Sequence, residues 1–388
     1  VSADEILFLA HRLPFPPDRG DRIRSWQMLQ ALAKLGPVHV VTPLDSAEDR
    51  AHIATVENIA ASLTTAVRPA SKGVAVARAL LTGLPASVAL FSVPILHQAV
   101  RARLATGRIA TIFAFSGQMA HYVPVGTRAR FLMDFVDMDS AKFAQQGASA
   151  RGLSGLALRQ EAKRLLAFET ATAQRADASI FVSAAEAGLF TAKTGLAAQV
   201  IENGVDAAHF APGAVTPADA PHPLIVFTGQ MDYAPNIEAV SGFVRDVLPL
   251  LPDASLAIVG RAPTAAVRAL AGDRVIVTGE VPDTRPWLAA ADVVVAPLAL
   301  ARGIQNKVLE AMAMGKAVVV SPAAAEGIDA EIGSELLVAD SPAAQAAAIT
   351  DLLDHPDRAK AIGTAARDRV LARYSWEARL APLAELIA

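Results

Sequence analysis

The chain has no cysteine among its 388 residues. That excludes disulfides, zinc ribbons, thiolate clusters and cysteine nucleophiles together, and it suits a reducing compartment. The eight histidines include no His-Glu-x-x-His pair, which removes zincin chemistry. No G-x-G-x-x-G, no Walker A lysine loop and no G-x-S-x-G elbow occurs. Their absence argues against a dinucleotide dehydrogenase, a P-loop NTPase and an α/β-hydrolase. Charged residues make up only 19% against 53% hydrophobic, so disorder is excluded and two cores can be buried. Strong charge of either sign is also lacking. The formal net charge is −3, with 21 Lys+Arg against 17 Asp+Glu in residues 1–214 and 14 against 21 in residues 215–388. Neither half is basic enough for nucleic acid as a partner, while the first half is compatible with anionic lipid or anionic substrates. The first residues show no signal-peptide pattern. Residues 79–100 carry no formal charge, a length that spans a bilayer, but Gly83, Pro85 and Pro94 would break one helix. Short buried or interfacial helices, in a soluble or peripheral protein, are expected there.

Strand-length apolar runs alternate with helical patterns. The runs Ile6–Ala10, Val38–Pro43, Ser62–Arg68, Ile109–Phe115, Arg130–Val136 and Ser179–Ser183 form a first series. Leu224–Thr228, Ser255–Val259, Val275–Thr278, Val293–Pro297 and Ala317–Ser321 form a second. Helices are expected over Asp21–Leu35, Gly155–Gln174, about Asn236–Val247 and from Asn306 onward. The strands are continuous, not alternating, so both faces are covered and the sheets are parallel. The expected fold class is α/β, with two Rossmann-like, doubly wound domains facing across a cleft. Residues 211–223 hold four prolines and a glycine without periodicity and read as a linker. The expected domains are 1–214 and 222–372, with a last helix at 373–388 crossing back to the first.

The most informative segment runs from Arg302 to Lys316, between two strands. Gly303 permits close backbone approach, and a helix starts near Gln305–Asn306. Its exposed amides and positive dipole end suit a phosphate. Lys307 adds charge in the first turn, and Glu310 can accept two hydroxyl hydrogen bonds, as a ribose diol offers. An ordinary Lys307–Glu310 salt bridge explains the same spacing. Lys316 reads as a surface charge. Glu161 and Glu169, eight apart on a long helix, read as a solvated face.

This segment resembles the donor-binding motif of family 4 GT-B glycosyltransferases, with Glu310 where those enzymes carry their ribose-binding Glu. Glu202-Asn203-Gly204-Val205-Asp206 before Phe210-Ala211-Pro212 is similar to the run preceding that family's interdomain linker. Pro16-Pro17-Asp18-Arg19-Gly20-Asp21 resembles its loop between first strand and first helix, which covers donor phosphates or acceptor. Tyr374-Ser375-Trp376-Glu377 resembles its final crossing helix. Taken with the runs at 11–25, 133–143 and 227–236, the chain most resembles bacterial sugar transferases of exosortase (PEP-CTERM) and exopolysaccharide systems. The resemblance implies a retaining transfer from a nucleoside diphosphate sugar, UDP- or GDP-linked, to a glycan or lipid-linked hydroxyl acceptor. It implies a cytoplasmic setting, with contact at the inner membrane face.

The implied donor-binding residues are Gly20, Arg261, Arg302, Gly303, Ile304, Gln305, Asn306, Lys307 and Glu310. Two departures stand out. Eight residues before Glu310, where the family has a sugar-contacting Glu, stands Arg302. The loop Gly229–Asn236 lacks the family's cations, so Arg302, Lys307 or Arg261 must supply them. Asp137-Met138-Asp139 matches the D-x-D pattern that holds a metal in GT-A transferases, but two βαβ series argue against that class, and no metal cofactor is expected. Asp137 lies beside the position where many relatives place a His near the reacting sugar, and His11 follows the first strand. These two are the catalytic candidates, each weighed against a structural role. Asp134 and Asp139 read as capping or supporting groups. The rival functions are a GT-B epimerase or hydrolase acting on donor alone, and a non-catalytic scaffold.

Overall fold

Val/Ile/Leu runs with no polar face must be covered from both sides, and that dictates parallel pairing through helical crossovers. The computed structural model describes residues 4–68, 83–150, 152–301 and 304–388. The described chain packs as two units: residues up to Asn203 together with Arg379–Ala388, and Gly204–Ala378.

The first unit's strands are β1 (Glu5–Ala10), β2 (Val38–Leu44), β3 (Ser62–Val67), β4 (Ile109–Phe115), β5 (Arg130–Val136), β6 (Ala178–Phe181) and β7 (Gln199–Val200). They form one sheet, β3-β2-β1-β4-β5-β6-β7, parallel throughout. β1 and β2 are buried at every position, whereas the edge strands β3 and β7 are not. Its helices are α1 (Gly20–Leu35), α2 (Ile53–Glu57), α3 (Ala86–Ala89), α4 (Pro94–Ala105), α5 (Asp139–Ser149), α6 (Gly152–Arg175) and α7 (Ala184–Thr194). α7 shows local cause plainly. Ser183 Oγ accepts from Glu186 N at its start, and Gly195, with φ 73°, closes it by donating to Thr191 O.

The second unit carries β8 (Leu224–Thr228), β9 (Ser255–Val259), β10 (Val275–Gly279), β11 (Val293–Ala296), β12 (Val318–Val320) and β13 (Leu337–Val338). These lie in the order β10-β9-β8-β11-β12-β13. The helices are α8 (Ala234–Gly242), α9 (Ala265–Arg268), α10 (Arg285–Ala290), α11 (Asn306–Ala313), α12 (Pro322–Ala325), α13 (Pro342–Asp354) and α14 (Pro356–Arg373). α15 (Trp376–Leu380) follows, and α16 (Pro382–Ile387), already part of the first unit, packs against α1 there. Residues 211–223 are anchored within the second unit. Ala218 N donates to Pro286 O, and Arg367 Nη1 donates to Phe210 O and Ala313 O.

Both sheets reverse strand order beside their first strand, at β1/β4 and at β8/β11. In an open parallel sheet that switch point leaves a crevice at the carboxyl ends of the strands, where ligands bind. Of the uncharged stretch 79–100, residues 69–82 overlap its start and lie outside the described residues; the rest forms α3 and the first half of α4. Among the described residues no helix is long and apolar enough to cross a membrane.

Candidate functional site

At the second switch point, α11 is held by its apolar face. Val308, Leu309, Ala311, Met312 and Ala313 are buried in the core built on β8, β9, β11 and β12. This anchoring aims its N-terminus at the strand ends. Gln305 is the N-cap, in an extended conformation, and makes no side-chain capping bond. No side chain of the N-cap competes for the first α11 amides, although Val308 N already donates to Gln305 O at 2.9 Å. Ile304 packs half-buried against the core, and Asn306 is exposed. Arg302 and Gly303 lie outside the described residues.

Lys307 reaches sideways to the loop after β8. Its ammonium donates to Asn236 Oδ1 at 2.6 Å and sits 4.4 Å from the Phe227 ring centre. Asn236 in turn donates to Gln230 O, and Arg261 Nη2 donates to Gln230 Oε1. A Cβ on Gly229 would stand 2.8 Å from Asn236 Nδ2 and 3.0 Å from Lys307 Nζ. A Cβ on Gly260, after β9, would come within 1.7 Å of Gly229 O. Two glycines thus let two strand ends and a lysine close together. The cations missing from the sequence of the 229–236 loop arrive from elsewhere: Lys307 and Arg261 both contact it.

Burial raises the Glu310 carboxyl to about 7, against the pull of Lys307. Burial likewise lowers the Lys307 ammonium to about 8, against the pull of Glu310. The simple salt-bridge explanation of their spacing gives way to a different geometry, because the Lys307 hydrogen bond goes to Asn236. Lys316 is corrected too. Far from being a surface charge, it donates to Ala289 O and Ala291 O at 2.6 and 2.8 Å, closing the C-terminus of α10.

At the first switch point, His11 leaves β1 and is 8% exposed. It stacks 5.6 Å from Phe115 and has Phe91 edge-on at 5.9 Å. Burial lowers its pKa, opposed by its bond to Asp21. A neutral ring whose Nε2 lies 3.2 Å from Asp21 Oδ2 donates there, and Nδ1 remains a buried acceptor without a protein partner among the described residues. Asp21 would be raised by burial alone, but His11, Arg12 and Arg19 hold it well below the usual range. Gly20 opens α1, and no atom would meet a Cβ there within 4 Å.

β4 and β5 end in left-handed backbone at Ser116 (φ 74°) and Val136 (φ 69°). A β-branched residue there is strained, and Asp134 holds the turn by accepting from Val136 N at 3.0 Å. Asp134 is fully buried, 2.9 Å from Arg24 Nε; Arg24 also donates to Asn203 Oδ1. Burial pushes the Asp134 carboxyl up, with Arg24 and the Val136 amide opposing. Beyond this turn Asp137 pairs with Lys142 at 2.6 Å. Asp139, opening α5, accepts from Gln118 Nε2 at 2.7 Å, and burial raises it while nearby His11 opposes the rise. The two aspartates share Lys142, at 2.6 Å from Asp137 and 3.8 Å from Asp139, and Asp139 alone adds Gln118. Among the described residues no three metal-ligating side chains gather in one place.

Glu161 and Glu169 do not form a solvated face. Glu169, pushed by burial to about 7, accepts from Ser140 N and Oγ at the start of α5. Glu161 accepts from Ala86 N, Ser87 N and Ser87 Oγ at the start of α3. Sequence reasoning also passed over Gln118, Arg12 and Asp45, whose only signal is their position just past a strand end, and Asn236, in the first turn of α8.

Residues 222–355 match a family model described as glycosyl transferases group 1. That stretch lies within the second unit. Over the whole chain the fold is GT-B, with two Rossmann-like parallel-sheet domains. One similar structure is Anabaena HepE in complex with UDP, 16% identical over 98% of each chain, with a TM-score of 0.62. Another is sucrose-phosphate synthase from Thermosynechococcus elongatus, 19% identical over 99% of this chain and 98% of that one, TM-score 0.59. A third is WaaG, a glycosyltransferase involved in lipopolysaccharide biosynthesis, 14% identical over 99% of each chain, TM-score 0.57. At these identities the likeness is one of fold. By sequence, no curated protein matches the chain.

Proposed function

We propose that this chain is a retaining glycosyltransferase that moves a sugar from a nucleoside diphosphate sugar to a hydroxyl acceptor in exopolysaccharide or lipid-linked glycan synthesis. The observation that carries this is the second unit's switch point. There an ammonium, Lys307, and an uncapped helix start lie beside a glycine at a strand end, with Glu310 one turn further in. Charge develops on the diphosphate as it leaves the sugar. The α11 amides and Lys307 stabilise that charge from fixed positions, and Glu310 holds the ribose diol. Arg261 is the second cation at the same loop, with Arg302 and Gly303 as the remaining donor-side candidates. The similar HepE structure holds UDP, which favours UDP as the donor base. The second unit is assigned the donor, and the first unit, with its returning C-terminal residues, the acceptor.

In the acceptor unit His11 is assigned to the reacting centre, since its Nδ1 is a buried acceptor, and Asp137, just past the end of β5 and paired with Lys142, is the second catalytic candidate. The proposed setting is the cytoplasmic face of a membrane. No metal is assigned a role. The test is incubation of the protein with UDP-glucose, with and without lipid-linked acceptors, following glycosyl transfer and the anomeric configuration of the product by NMR. Acceptor-dependent transfer with retained configuration is expected. Equal turnover without any acceptor would instead make the chain a donor hydrolase.

A further inference from the structure

At the end of the first unit's sheet beside His11, three guanidiniums gather on two carboxylates. Arg12 lies just past β1, Arg19 precedes α1 and Arg68 directly follows β3. Their guanidiniums converge on Asp45, just past β2: Arg12 Nη1 at 3.1 Å, Arg19 Nη2 at 3.3 Å and Arg68 Nη2 at 2.9 Å. Asp21 takes Arg12 Nε at 3.1 Å and Arg19 Nε at 3.2 Å. Three cations share two carboxylates, and burial keeps His11 from adding a charge of its own. The neighbouring Arg22 pairs with Asp49 at 2.7 Å and with Asp18 at 3.6 Å.

Arg12 and Arg68 are not solvated surface groups, whereas the Arg19 side chain is 45% exposed. The Arg12 and Arg68 side chains are 24% and 19% exposed, and the Arg68 guanidinium lies 4.4 Å from the centre of the Phe91 ring. A purely structural network gains little from a third half-buried guanidinium, because its desolvation and its repulsion by the other two both oppose folding. A site for an anion does gain from it. Planar guanidinium forks match phosphate oxygens, and the cluster stands at the carboxyl ends of three parallel strands, where such a sheet places its ligands. Asp45 then acts as the resident counter-ion that a phosphate displaces.

We propose that Arg12, Arg19 and Arg68 form a phosphate subsite, and that the hydroxyl acceptor of this enzyme carries a phosphate monoester or diphosphate. The word acceptor rests on the proposed function; the phosphate subsite rests on the first unit alone.

The test is calorimetric titration of inorganic phosphate into the full chain held in saturating UDP, for the wild type, Asp45→Asn and Arg68→Gln. Both variants loosen the same ion-pair network, but they change its charge in opposite senses. Asp45→Asn is expected to tighten phosphate binding by about tenfold and Arg68→Gln to weaken it by about tenfold. Parallel titrations with glycerol phosphate and with phosphatidylcholine vesicles containing phosphatidic acid separate a soluble phosphorylated acceptor from a lipid-borne one. Undetectable phosphate binding, or variants that shift it in the same direction, would overturn the subsite. Competition between phosphate and UDP would overturn its assignment to the acceptor. If Arg68→Gln does not fold, Arg19→Gln takes its place, with the same direction of weakening expected and an unchanged affinity counting against the subsite. Failure of UDP to bind at all would count against the donor assignment and leave the opposite-signed responses to stand or fall separately.

Discussion

At the ends of β4 and β5 the first unit turns on Ser116 and Val136, both in left-handed backbone. At the ends of β8 and β9 the second turns on Gly229 and Gly260. The strand orders are the same, yet the two switch points are built by different means. The first forces side-chain-bearing residues into a strained turn and holds them with a buried carboxylate, Asp134, itself paired with Arg24. The second removes side chains, so that backbone and an ammonium come close. The first crowds Arg12, Arg19, Asp21 and Asp45 around a neutral histidine. In the second, burial brings both central charges, Lys307 and Glu310, toward neutrality. A shared topology fixes where ligands go. The residues at the strand ends fix which chemistry they meet.

The sharpest way to break the contrast is to remove the support of the strained turn. Arg24→Ala leaves Asp134 buried without its cation and should cost about 3–5 kcal/mol in chemical denaturation. Asp134→Asn should cost less, because its amide oxygen still accepts from Val136 N. Gly260→Ala attacks the other device. Its Cβ would meet Gly229 O at 1.7 Å, so backbone must shift, with an expected loss of about 3 kcal/mol in the same assay.

Glu310→Gln sharpens the comparison from the side of charge. A carboxyl whose folded pKa is raised to about 7 binds its proton more tightly folded than unfolded. Stability is therefore lost as pH rises from the unfolded pKa through about 7, and at pH 8 the ionised group is a burden. Glu310→Gln should then stabilise the protein at pH 8 by about 1–3 kcal/mol and show no such gain at pH 4. The same two groups set a narrow optimum for nucleotide binding. Below about 7 Glu310 is protonated and accepts less well, while above about 8 Lys307 loses its charge. UDP affinity should fall by up to about tenfold per pH unit on either side, and Glu310→Gln should flatten the acid limb. The smallest effect belongs to Lys316→Met. It should lose about 1 kcal/mol through the two α10 carbonyls it satisfies, and leave UDP affinity unchanged.

Much of this fold was legible because Val/Ile/Leu runs such as Leu224–Thr228 and Ser255–Val259 have one physical reading, a strand covered on both faces. β7 and β13, two residues each, escaped because such short, incompletely buried strands carry no pattern. The start of α11 was legible because a polar, glycine-containing turn gives way to an apolar helical face within a few residues. What could not be read were partners far apart in the chain. Lys307 meets Asn236 across 71 positions, and Arg24 meets Asp134 across 110. Glu169 misled for the same reason: helical spacing describes its own helix, and its burial comes from Ser140 on another.

The central claim is that the α11 N-terminus with Lys307 and Glu310 binds the nucleotide. The most direct measurement is calorimetric titration of UDP into the wild type and Glu310→Ala at pH 7.5. Two charge-assisted bonds to the ribose diol are each worth roughly 1.5–3 kcal/mol, so Glu310→Ala should weaken UDP binding by about a hundredfold or more. Unchanged affinity in Glu310→Ala would contradict the donor-site assignment.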